Sequence, residues 1–295
     1  MKKKAFVLII IAGLLWGTSA IFVKFLAPLG FSSLQMTFVR GLVSLVGMAI
    51  YVLMSDRSLF RVNVKSALLF AGIGFLLFLT ASSYYTAMQM TSVATAAVLL
   101  YTSPIYVTLV SMLFLGERRS VGKWVAIVLL VVGCALVSGI AGGFTLDPLG
   151  ILIGVLSGIT YAGYNILTKI ALKKGSNPIS VSFYTFLFMT LAALPFSSPA
   201  SLAASISAAP VKSIALLLGL GVCTYVLPYF FYTLSMKTLS AGTASAFSVV
   251  EPLAATLYSV IIFREKFDIF TAVGIVLVVL AVVLIGLMEN KEAEK

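Results

Sequence analysis

Glu251 differs more than any other residue in its chemistry from the residues around it. The stretch SVVEPLAATL (248–257) places this carboxylic acid in an apolar segment, directly before Pro252. Pro252 has no N–H group for a helical hydrogen bond and pushes the preceding residue out of helical geometry, so a bend is predicted. The carboxylate has three candidate roles: binding an amino or cationic group of a substrate, carrying a coupling proton, or accepting hydrogen bonds from backbone groups freed at the bend.

Arg40 is a basic residue inside another apolar segment and a candidate partner for this acid. An ion pair between Arg40 and Glu251 would compensate the cost of holding either charge away from water. The alternative is that Arg40 lies near the end of its segment and extends its charged group to a membrane surface.

Polar side chains also follow helical spacing in other apolar segments. The fullest set falls on one helix face and consists of Ser157, Thr160, Tyr161, Tyr164, Asn165 and Thr168. A second face carries Tyr225, Pro228, Tyr229 and Tyr232, and a third carries Thr80, Ser83 and Tyr84. Such faces are costly in contact with lipid, so they either line a polar pathway or supply hydrogen bonds between helices.

The predicted substrate pathway combines these faces with Glu251. Its residues are Trp16, Tyr84, Tyr161, Tyr164, Asn165, Tyr225, Tyr232, Ser248 and Glu251. Packing is the alternative for Trp16, and a position at the membrane interface is the alternative for Tyr84 and Tyr232. Glycines spaced four residues apart, at 13 and 17 and at 150, 154 and 158, are interpreted as sites of close helix packing.

The elements that carry these residues are predicted to be membrane helices. Of the 295 residues, 61% are hydrophobic and 10% are charged, whereas about a quarter are charged in a soluble domain. The stretch from Ala5 to Val23 contains no charge and has the length of a spanning helix. It is interpreted as a retained first span and not as a signal peptide, because further apolar segments follow it.

Ten apolar segments can be marked, and short connections separate nearly all of them. They cover about residues 5–25, 33–54, 66–86, 91–115, 122–140, 149–172, 178–197, 213–236, 240–263 and 269–288. The longest connection, 197–210, is predicted to be a loop or a short surface helix. The predicted fold class is therefore an all-α polytopic membrane protein with ten transmembrane helices.

The chain contains an internal repeat. A shift of 148 residues aligns 84–136 with 232–284 and matches Pro104 with Pro252, both of which are predicted helix bends. A shift of 145 aligns 13–24 with 158–169. Each half then holds five helices, and because five is odd the two halves must be inverted in the membrane. The predicted domains are a first repeat over 1–145, a second over 146–288 and a cytoplasmic tail over 289–295.

The net charge of +11 is explained by topology and not by nucleic acid. Most Lys and Arg residues lie in the terminal tails and in alternate connections, which is typical of cytoplasmic loops. We therefore predict a multi-pass protein of the cell membrane with both termini cytoplasmic. Its predicted partners are the lipid bilayer and a small-molecule substrate, with no nucleic acid, and the protein is predicted to be a monomer or a homodimer.

Three motifs together resemble the EamA family of the drug/metabolite transporter superfamily. They are LLWGTSAIFVK (14–24), FLGERRS (114–120) and EPLAAT with IIFREKF (251–267). The resemblance covers nearly the whole chain. It implies ten helices, export or exchange of small metabolites, and a central cavity lined mainly by helices 1, 3, 4, 6, 8 and 9. It leaves the substrate open, because members of the family handle amino acids, sugars, amines and nucleobase-like compounds. A Glu-Pro pair is common in the family across varied substrates, which favours a structural or coupling role for Glu251.

Other function classes fit the sequence less well. The stretch GERRSVGKW (116–124) fails the P-loop pattern, because the spacing is too long and no Ser or Thr follows the lysine. The chain has no histidine, and Cys134 and Cys223 lie in apolar runs, so no metal, cofactor or catalytic residue is predicted.

The predicted function is a secondary active transporter, an exporter or exchanger of small metabolites such as amino acids or amines. Inverted repeats favour alternating access around a midplane cavity between the halves. Protons are a candidate coupling ion. The alternatives are an integral membrane enzyme and a channel-like facilitator.

Overall fold

The computed structural model describes residues 2–91, 93–114, 121–137, 147–264 and 268–293, which are helical almost throughout. The helices of the first half are α1 (Lys2–Gly17), α2 (Ser19–Leu26), α3 (Ser33–Ser55), α4 (Val64–Met90), α5 (Val93–Leu100), α6 (Ser103–Phe114) and α7 (Val121–Val137). Those of the second half are α8 (Pro148–Lys173), α9 (Pro178–Ala193), α10 (Pro199–Ala208), α11 (Pro210–Gly221), α12 (Leu227–Ser235), α13 (Ala241–Phe247), α14 (Val250–Phe263) and α15 (Ile269–Ala293).

Many of these helices are long and apolar enough to cross a membrane. In the described part of the chain seven such stretches occur: Lys3–Leu29, Ser33–Ser55, Val64–Ala87, Pro148–Lys173, Pro178–Phe196, Pro210–Ser235 and Thr243–Ile262. Shorter apolar helices cover Val98–Val110, Val121–Leu136 and Ile269–Ile285. The protein is therefore an all-α, multi-pass membrane protein, as predicted.

Polar residues before the first turn explain where several helices begin. Ser32 and Gln35 form a capping box at the start of α3, in which each side chain accepts a hydrogen bond from the backbone N–H group of the other. Asp147 accepts from the backbone N–H group of Gly150 at 2.9 Å, and Pro148 occupies the first position of α8. Short polar connections thus end one apolar helix and start the next.

The fourth and ninth predicted segments are each divided in two. Tyr101 and Thr102 separate α5 from α6, and Ser248 and Val249 separate α13 from α14. Each interruption lies just before a Ser-Pro or Glu-Pro pair, where proline cannot supply the N–H group of a regular helix. The eighth segment is also irregular, because a π-helical turn over Val222–Val226 joins α11 to α12.

The longest connection and the last helix complete the second half. The region 197–210 contains a short helix, α10, none of whose residues is buried, in agreement with the predicted short surface helix. At the other end, α15 continues to Ala293, so the residues predicted as a tail from 289 begin as helix. The reason is compositional, since Glu289, Lys291 and Glu292 are strong helix formers and no proline or glycine follows Gly286.

The helix α8 is polar inside and apolar outside. Leu152 is 65% exposed, and Leu156 and Ile159 are also exposed, whereas Ser157 and Thr160 are buried. A soluble protein would reverse this arrangement, because water would face the polar side. The exposed apolar face is suited to lipid, and the buried polar face is available for a site.

Helices of one half pack on helices of the other. The helix α7 packs along α15 and α3 along α9, while α1 packs on α12 and α14, and α8 packs on α4, α5 and α6. Glycines allow the closest approaches. A Cβ atom added at Gly17 would lie 2.5 Å from the Cβ atom of Ala254, and one at Gly158 would lie 2.7 Å from the carbonyl oxygen of Leu99. The packing predicted for these glycines is confirmed.

Candidate functional site

The buried face of α8 forms one wall of a polar cluster in the protein interior. Asn165 is completely buried; its amide group donates to the backbone carbonyl oxygen of Tyr161 at 2.9 Å, and its side-chain oxygen accepts from the hydroxyl group of Tyr232. One turn earlier, Thr80 on α4 donates to Thr160 at 3.0 Å. This face therefore supplies hydrogen bonds between helices, and it also directs Tyr161 into an aromatic group.

Aromatic rings from both halves meet beside this wall. The Trp16 ring on α1 lies 5.1 Å from that of Tyr229 and 5.2 Å from that of Tyr232, both on α12. Tyr161 and Tyr164 on α8 are stacked, with ring centroids 5.9 Å apart, and Tyr164 meets Tyr229 edge to face at 5.8 Å. These spacings fall in the range of favourable ring pairs, so the five rings form a defined group and not separate interfacial anchors.

Glu251 follows the interruption between α13 and α14, and its carboxyl group interacts electrostatically with tyrosines of this aromatic group. The hydroxyl group of Tyr101, in the other interruption, is close enough to donate a hydrogen bond to the Glu251 carboxyl group. The carboxylate also interacts electrostatically with Tyr84, Tyr161 and Tyr229. The two interruptions therefore meet through side chains, one carrying an acid and the other a hydroxyl group.

The freed backbone at this bend is satisfied locally. The backbone N–H group of Glu251 donates to the carbonyl oxygen of Ser248 at 3.0 Å, and the Ser248 hydroxyl group donates to the backbone carbonyl oxygen of Ser245 at 2.6 Å. Within the described residues, the Glu251 side chain accepts no hydrogen bond from a backbone N–H group of the bend. This geometry favours a binding or coupling role for the acid over the structural role.

Arg40 on α3 is 5% exposed, so it does not extend to a membrane surface. Its Nη2 atom donates to the hydroxyl group of Tyr85, and its guanidinium group lies over the Tyr225 ring, 4.6 Å from the centroid. Although the charges of Arg40 and Glu251 interact electrostatically, the two groups are not at ion-pair distance in the described part of the chain. The sequence suggests Glu251 as the ion-pair partner of Arg40, whereas the described contacts of its guanidinium group are with tyrosines.

The π-helical turn explains how Tyr225 reaches this position. Such a turn inserts an extra residue into the helix and rotates the side chains that follow it, and it occurs often at functional sites. Here it lies at the junction between α11 and α12. The ring centroid of Tyr225, within this turn, lies 5.0 Å from that of Tyr229 and 5.9 Å from that of Phe186. The aromatic group thus extends from Trp16 to the guanidinium of Arg40.

Several polar atoms near this cluster have no hydrogen-bond partner among the described residues. They are Trp16 Nε1, Arg40 Nε, Ser103 Oγ and Ser245 Oγ, all buried. A buried donor or acceptor without a partner costs free energy, so such groups occur mainly where a ligand or water completes them. The arrangement can bind a small polar or charged molecule between rings from the two halves.

A lysine connects two helices at one end of this cluster. Lys169, one turn after Asn165 on α8, donates through Nζ to the backbone carbonyl oxygens of Met236, at 2.7 Å, and Leu239. These carbonyls follow α12, where helix termini leave carbonyl groups without intrahelical partners. Together with the hydrogen bond between Asn165 and Tyr232, this contact joins α8 to the end of α12.

The structure brings the sequence-predicted pathway residues into one region. Trp16, Tyr161, Tyr164, Asn165, Tyr225 and Tyr232 are buried in the group described above, and Tyr84 and Ser248 lie beside Glu251 and Tyr161, respectively. Pro104 and Pro252 follow the two interruptions.

Sequence reasoning missed Tyr85 and Tyr101. The available signal for Tyr101 was a tyrosine inside an apolar segment close to Pro104, but its repeat counterpart is Val249, so the repeat did not mark it. Tyr85 directly follows Tyr84 and therefore lies off the face predicted for that segment.

Comparisons with known proteins agree with this architecture. The chain is 30% identical over 270 residues to an uncharacterized transporter of Archaeoglobus fulgidus, covering 90% of each chain. It is 24% identical over 304 residues to an uncharacterized transporter of Clostridium kluyveri, covering 99% of this chain and 95% of the relative. The transporter YwfM of Bacillus subtilis, also uncharacterized, is 24% identical over 210 residues, or 71% of this chain and 70% of the relative.

A solved crystal structure has the same fold. It superposes with a TM-score of 0.82 over 99% of both chains at 19% sequence identity. The EamA-like transporter family matches twice, over residues 3–139 and 148–287, once in each half of the chain. The protein therefore belongs to the EamA-like transporter family.

Proposed function

We propose that the protein is a secondary active transporter of small metabolites such as amino acids or amines, acting as an exporter or exchanger. The observation that carries the proposal is the polar and aromatic cluster to which both halves contribute, with Glu251 and Tyr101 extending from the two helix interruptions. Alternating access needs a site that either half can uncover, and a site at the boundary between repeats meets that need.

The packing of the helices supports ten spans arranged as two inverted repeats. Equivalent helices pack on each other, α7 on α15 and α3 on α9. The other contacts are exchanged, since α1 packs on α12 and α14 while α8 packs on α4, α5 and α6. A pseudo-two-fold axis in the membrane plane would produce both kinds of contact. The distribution of Lys and Arg residues supports both chain termini on the cytoplasmic side.

The contacts at Lys169 support a closed cytoplasmic side in this conformation. With both termini inside, Lys169 and the end of α12 lie toward the cytoplasm, where the lysine bridges α8 to the carbonyls of Met236 and Leu239. Breaking these hydrogen bonds would let the end of α12 move away from α8. The opposite opening would expose the cluster to the outside, which is the exchange of states that a carrier requires.

Transport by the purified protein in proteoliposomes tests the proposal. A carrier gives saturable uptake of a labelled substrate that is accelerated by the same substrate on the opposite side. A channel-like facilitator gives flux without this acceleration, and a membrane enzyme gives a chemically altered product. Absence of flux for every amino acid and amine in a labelled panel would contradict the substrate class.

Antibody or thiol labelling in intact cells tests the topology separately. Tags at both termini and at residue 119 are expected to be cytoplasmic, and a tag at residue 266 external. Termini on opposite sides would contradict two inverted five-helix halves.

A further inference from the structure

The guanidinium group of Arg40 is buried and has no carboxylate partner among the described residues. Arg40 is 5% exposed, and its described contacts are with the Tyr85 hydroxyl group and with the faces of Tyr85 and Tyr225, at 5.5 and 4.6 Å. Aromatic faces stabilise a cation, but they satisfy none of its N–H donors. A charge held away from lipid and water in this way is typical of a functional position.

The donors of this group are only partly used. Nη2 donates to Tyr85, whereas Nε is buried and has no partner among the described residues. Tyr85 accepts this hydrogen bond through its oxygen, which leaves the hydroxyl hydrogen to donate elsewhere. A guanidinium presents parallel N–H groups that match the two oxygens of a carboxylate, and the Tyr85 hydroxyl adds a further donor.

The cluster also contains the opposite charge, on Glu251. The Tyr225 hydroxyl group interacts electrostatically with both Arg40 and Glu251, which are not at ion-pair distance from each other in the described part of the chain. The cluster therefore brings a basic and an acidic side chain near one tyrosine without pairing them. A ligand with one negative and one positive group would compensate both charges, whereas a simple cation or anion would leave one of them without a partner.

We propose that Arg40 and Tyr85 form an anion subsite that binds the carboxylate of a zwitterionic substrate, with the amino group of that substrate directed toward Glu251. This inference rests on the proposed transport function and narrows it, because an amine without a carboxylate would meet the repulsion of Arg40. The tyrosine rings that interact with these two groups would contact the body of the substrate.

Matched sets of probes test this assignment in the purified full-length protein. Each proteinogenic amino acid is compared with its amine, which lacks the carboxylate, and with its acid, which lacks the amino group; for phenylalanine these are 2-phenylethylamine and 3-phenylpropionate. Binding is measured by the rise in melting temperature with ligand concentration, since a ligand of the folded state stabilises it. Zwitterions are expected to bind wild-type protein at least about tenfold more tightly than either partial analogue.

Each of the two charge-removing variants should then lose a different part of this selectivity. Arg40→Gln is expected to bind a zwitterion and its amine with similar affinity, and Glu251→Gln a zwitterion and its acid with similar affinity. Arg40→Lys keeps the charge but loses the planar pair of donors, so an intermediate loss is expected. Tyr51→Phe, which removes the hydroxyl group of an exposed tyrosine on the same helix, serves as the control and should match wild type.

A merely structural arginine would give a different result. Arg40→Gln would then lower the melting temperature of the ligand-free protein and weaken the binding of zwitterion, amine and acid by the same factor. This result would overturn the assignment. Equal binding of amines and zwitterions by wild-type protein would also overturn it, as would the absence of binding by every zwitterion in the panel. Saturable transport of some other compound would, in that case, leave the proposed function standing while this inference fails.

Discussion

The two interrupted helices use the same backbone arrangement with different side chains. Between α5 and α6 the interruption precedes Ser103-Pro104, and between α13 and α14 it precedes Glu251-Pro252. Ser103 is buried and its hydroxyl group has no partner among the described residues, whereas Glu251 interacts with Tyr101 from the opposite interruption. Duplication thus supplied a matched pair of bends, and divergence at the bend placed the acid on one side and the hydroxyl group on the other.

The packing around the two bends is nearly symmetric. Each bend lies against a glycine from the other half, Gly13 against Val250 on α14 and Gly158 against Leu99 and Thr102 beside α5, and the 145-residue shift aligns these two glycines. The chemistry is not symmetric, because the acid is present once. Symmetric packing with asymmetric chemistry predicts that packing variants affect both halves alike and that polar variants affect them unequally.

The largest effect is expected from Gly13→Ala and Gly158→Ala. The added Cβ atom would lie 2.6 Å from the Cβ atom of Val250 in one variant and 2.7 Å from the Leu99 carbonyl oxygen in the other. Neither distance is tolerable, so the helices must separate, at a cost of about 1–3 kcal/mol or more. Both variants should lose most of their folded protein, measured as monodisperse yield after solubilisation.

Gly72→Ala is the matched control for this comparison. Its Cβ atom would first meet the end of the Leu167 side chain at 3.4 Å, an ordinary contact, so the yield should be close to wild type. If only one of the two tight glycines rejected alanine, the bends would not share one packing arrangement.

The next effect is functional and should be unequal between the halves. Glu251→Gln is expected to lower transport roughly tenfold or more, because hydrogen bonds to a charged group contribute about 1.5–3 kcal/mol. Ser103→Ala should stay within about twofold of wild type. The measurement is the rate of substrate uptake by proteoliposomes, compared at equal amounts of folded protein.

The kind of loss in Glu251→Gln distinguishes the roles of this acid. Exchange that survives while accumulation driven by a pH gradient disappears would indicate proton coupling. A weaker apparent affinity with or without a gradient would indicate substrate binding. Unchanged transport, combined with poor folding of Glu251→Ala, would restore the structural role.

The difference between the two bends shows which features of the site can be predicted from the sequence. Helix positions, the buried face of α8 and the unusual character of Glu251 follow from local pattern, because hydropathy and helical spacing determine them. Tyr101 and Tyr85 do not, since their importance depends on contacts between helices distant in sequence. The π-helical turn at Val222–Val226 also lacks a local signal, and without it the position of Tyr225 against Arg40 could not be predicted.

A smaller effect is expected when the lysine at the end of α8 is changed. Lys169→Met keeps the length of the side chain but removes the donors to Met236 and Leu239. The contact between α8 and the end of α12 should weaken, which shifts the population toward a state open on that side by several-fold. A cysteine at Ser235, in a background with Cys134 and Cys223 replaced by alanine, should then react several-fold faster with a soluble thiol reagent.

The equivalent lysine of the first half provides the comparison. Lys24 lies 145 positions before Lys169, at the other end of the protein according to the inverted arrangement. Lys24→Met should not accelerate labelling at Ser235. Equal acceleration by both variants would mean general loosening and would contradict a contact that acts on one side.

The smallest effect is expected at the start of α15. Asp268 accepts a hydrogen bond from the backbone N–H group of Thr271 at 2.8 Å, and this bond lowers the pKa of the Asp268 carboxyl group below its ordinary value of 3.8. A lowered pKa in the folded state means that the stabilisation is present above the ordinary pKa and is lost as the pH falls through the folded value.

The residue 148 positions earlier is Ser120, which lies outside the described residues. Asp268→Ser replaces the acid with the residue that the repeat aligns with this position. It should keep a hydrogen-bonding cap, lower the melting temperature slightly at about pH 7, and reduce the dependence of the melting temperature on pH below about pH 4. An unchanged pH dependence in this variant would show that the charge on Asp268 does not stabilise the start of α15, and the two halves would then be equivalent at this position as well.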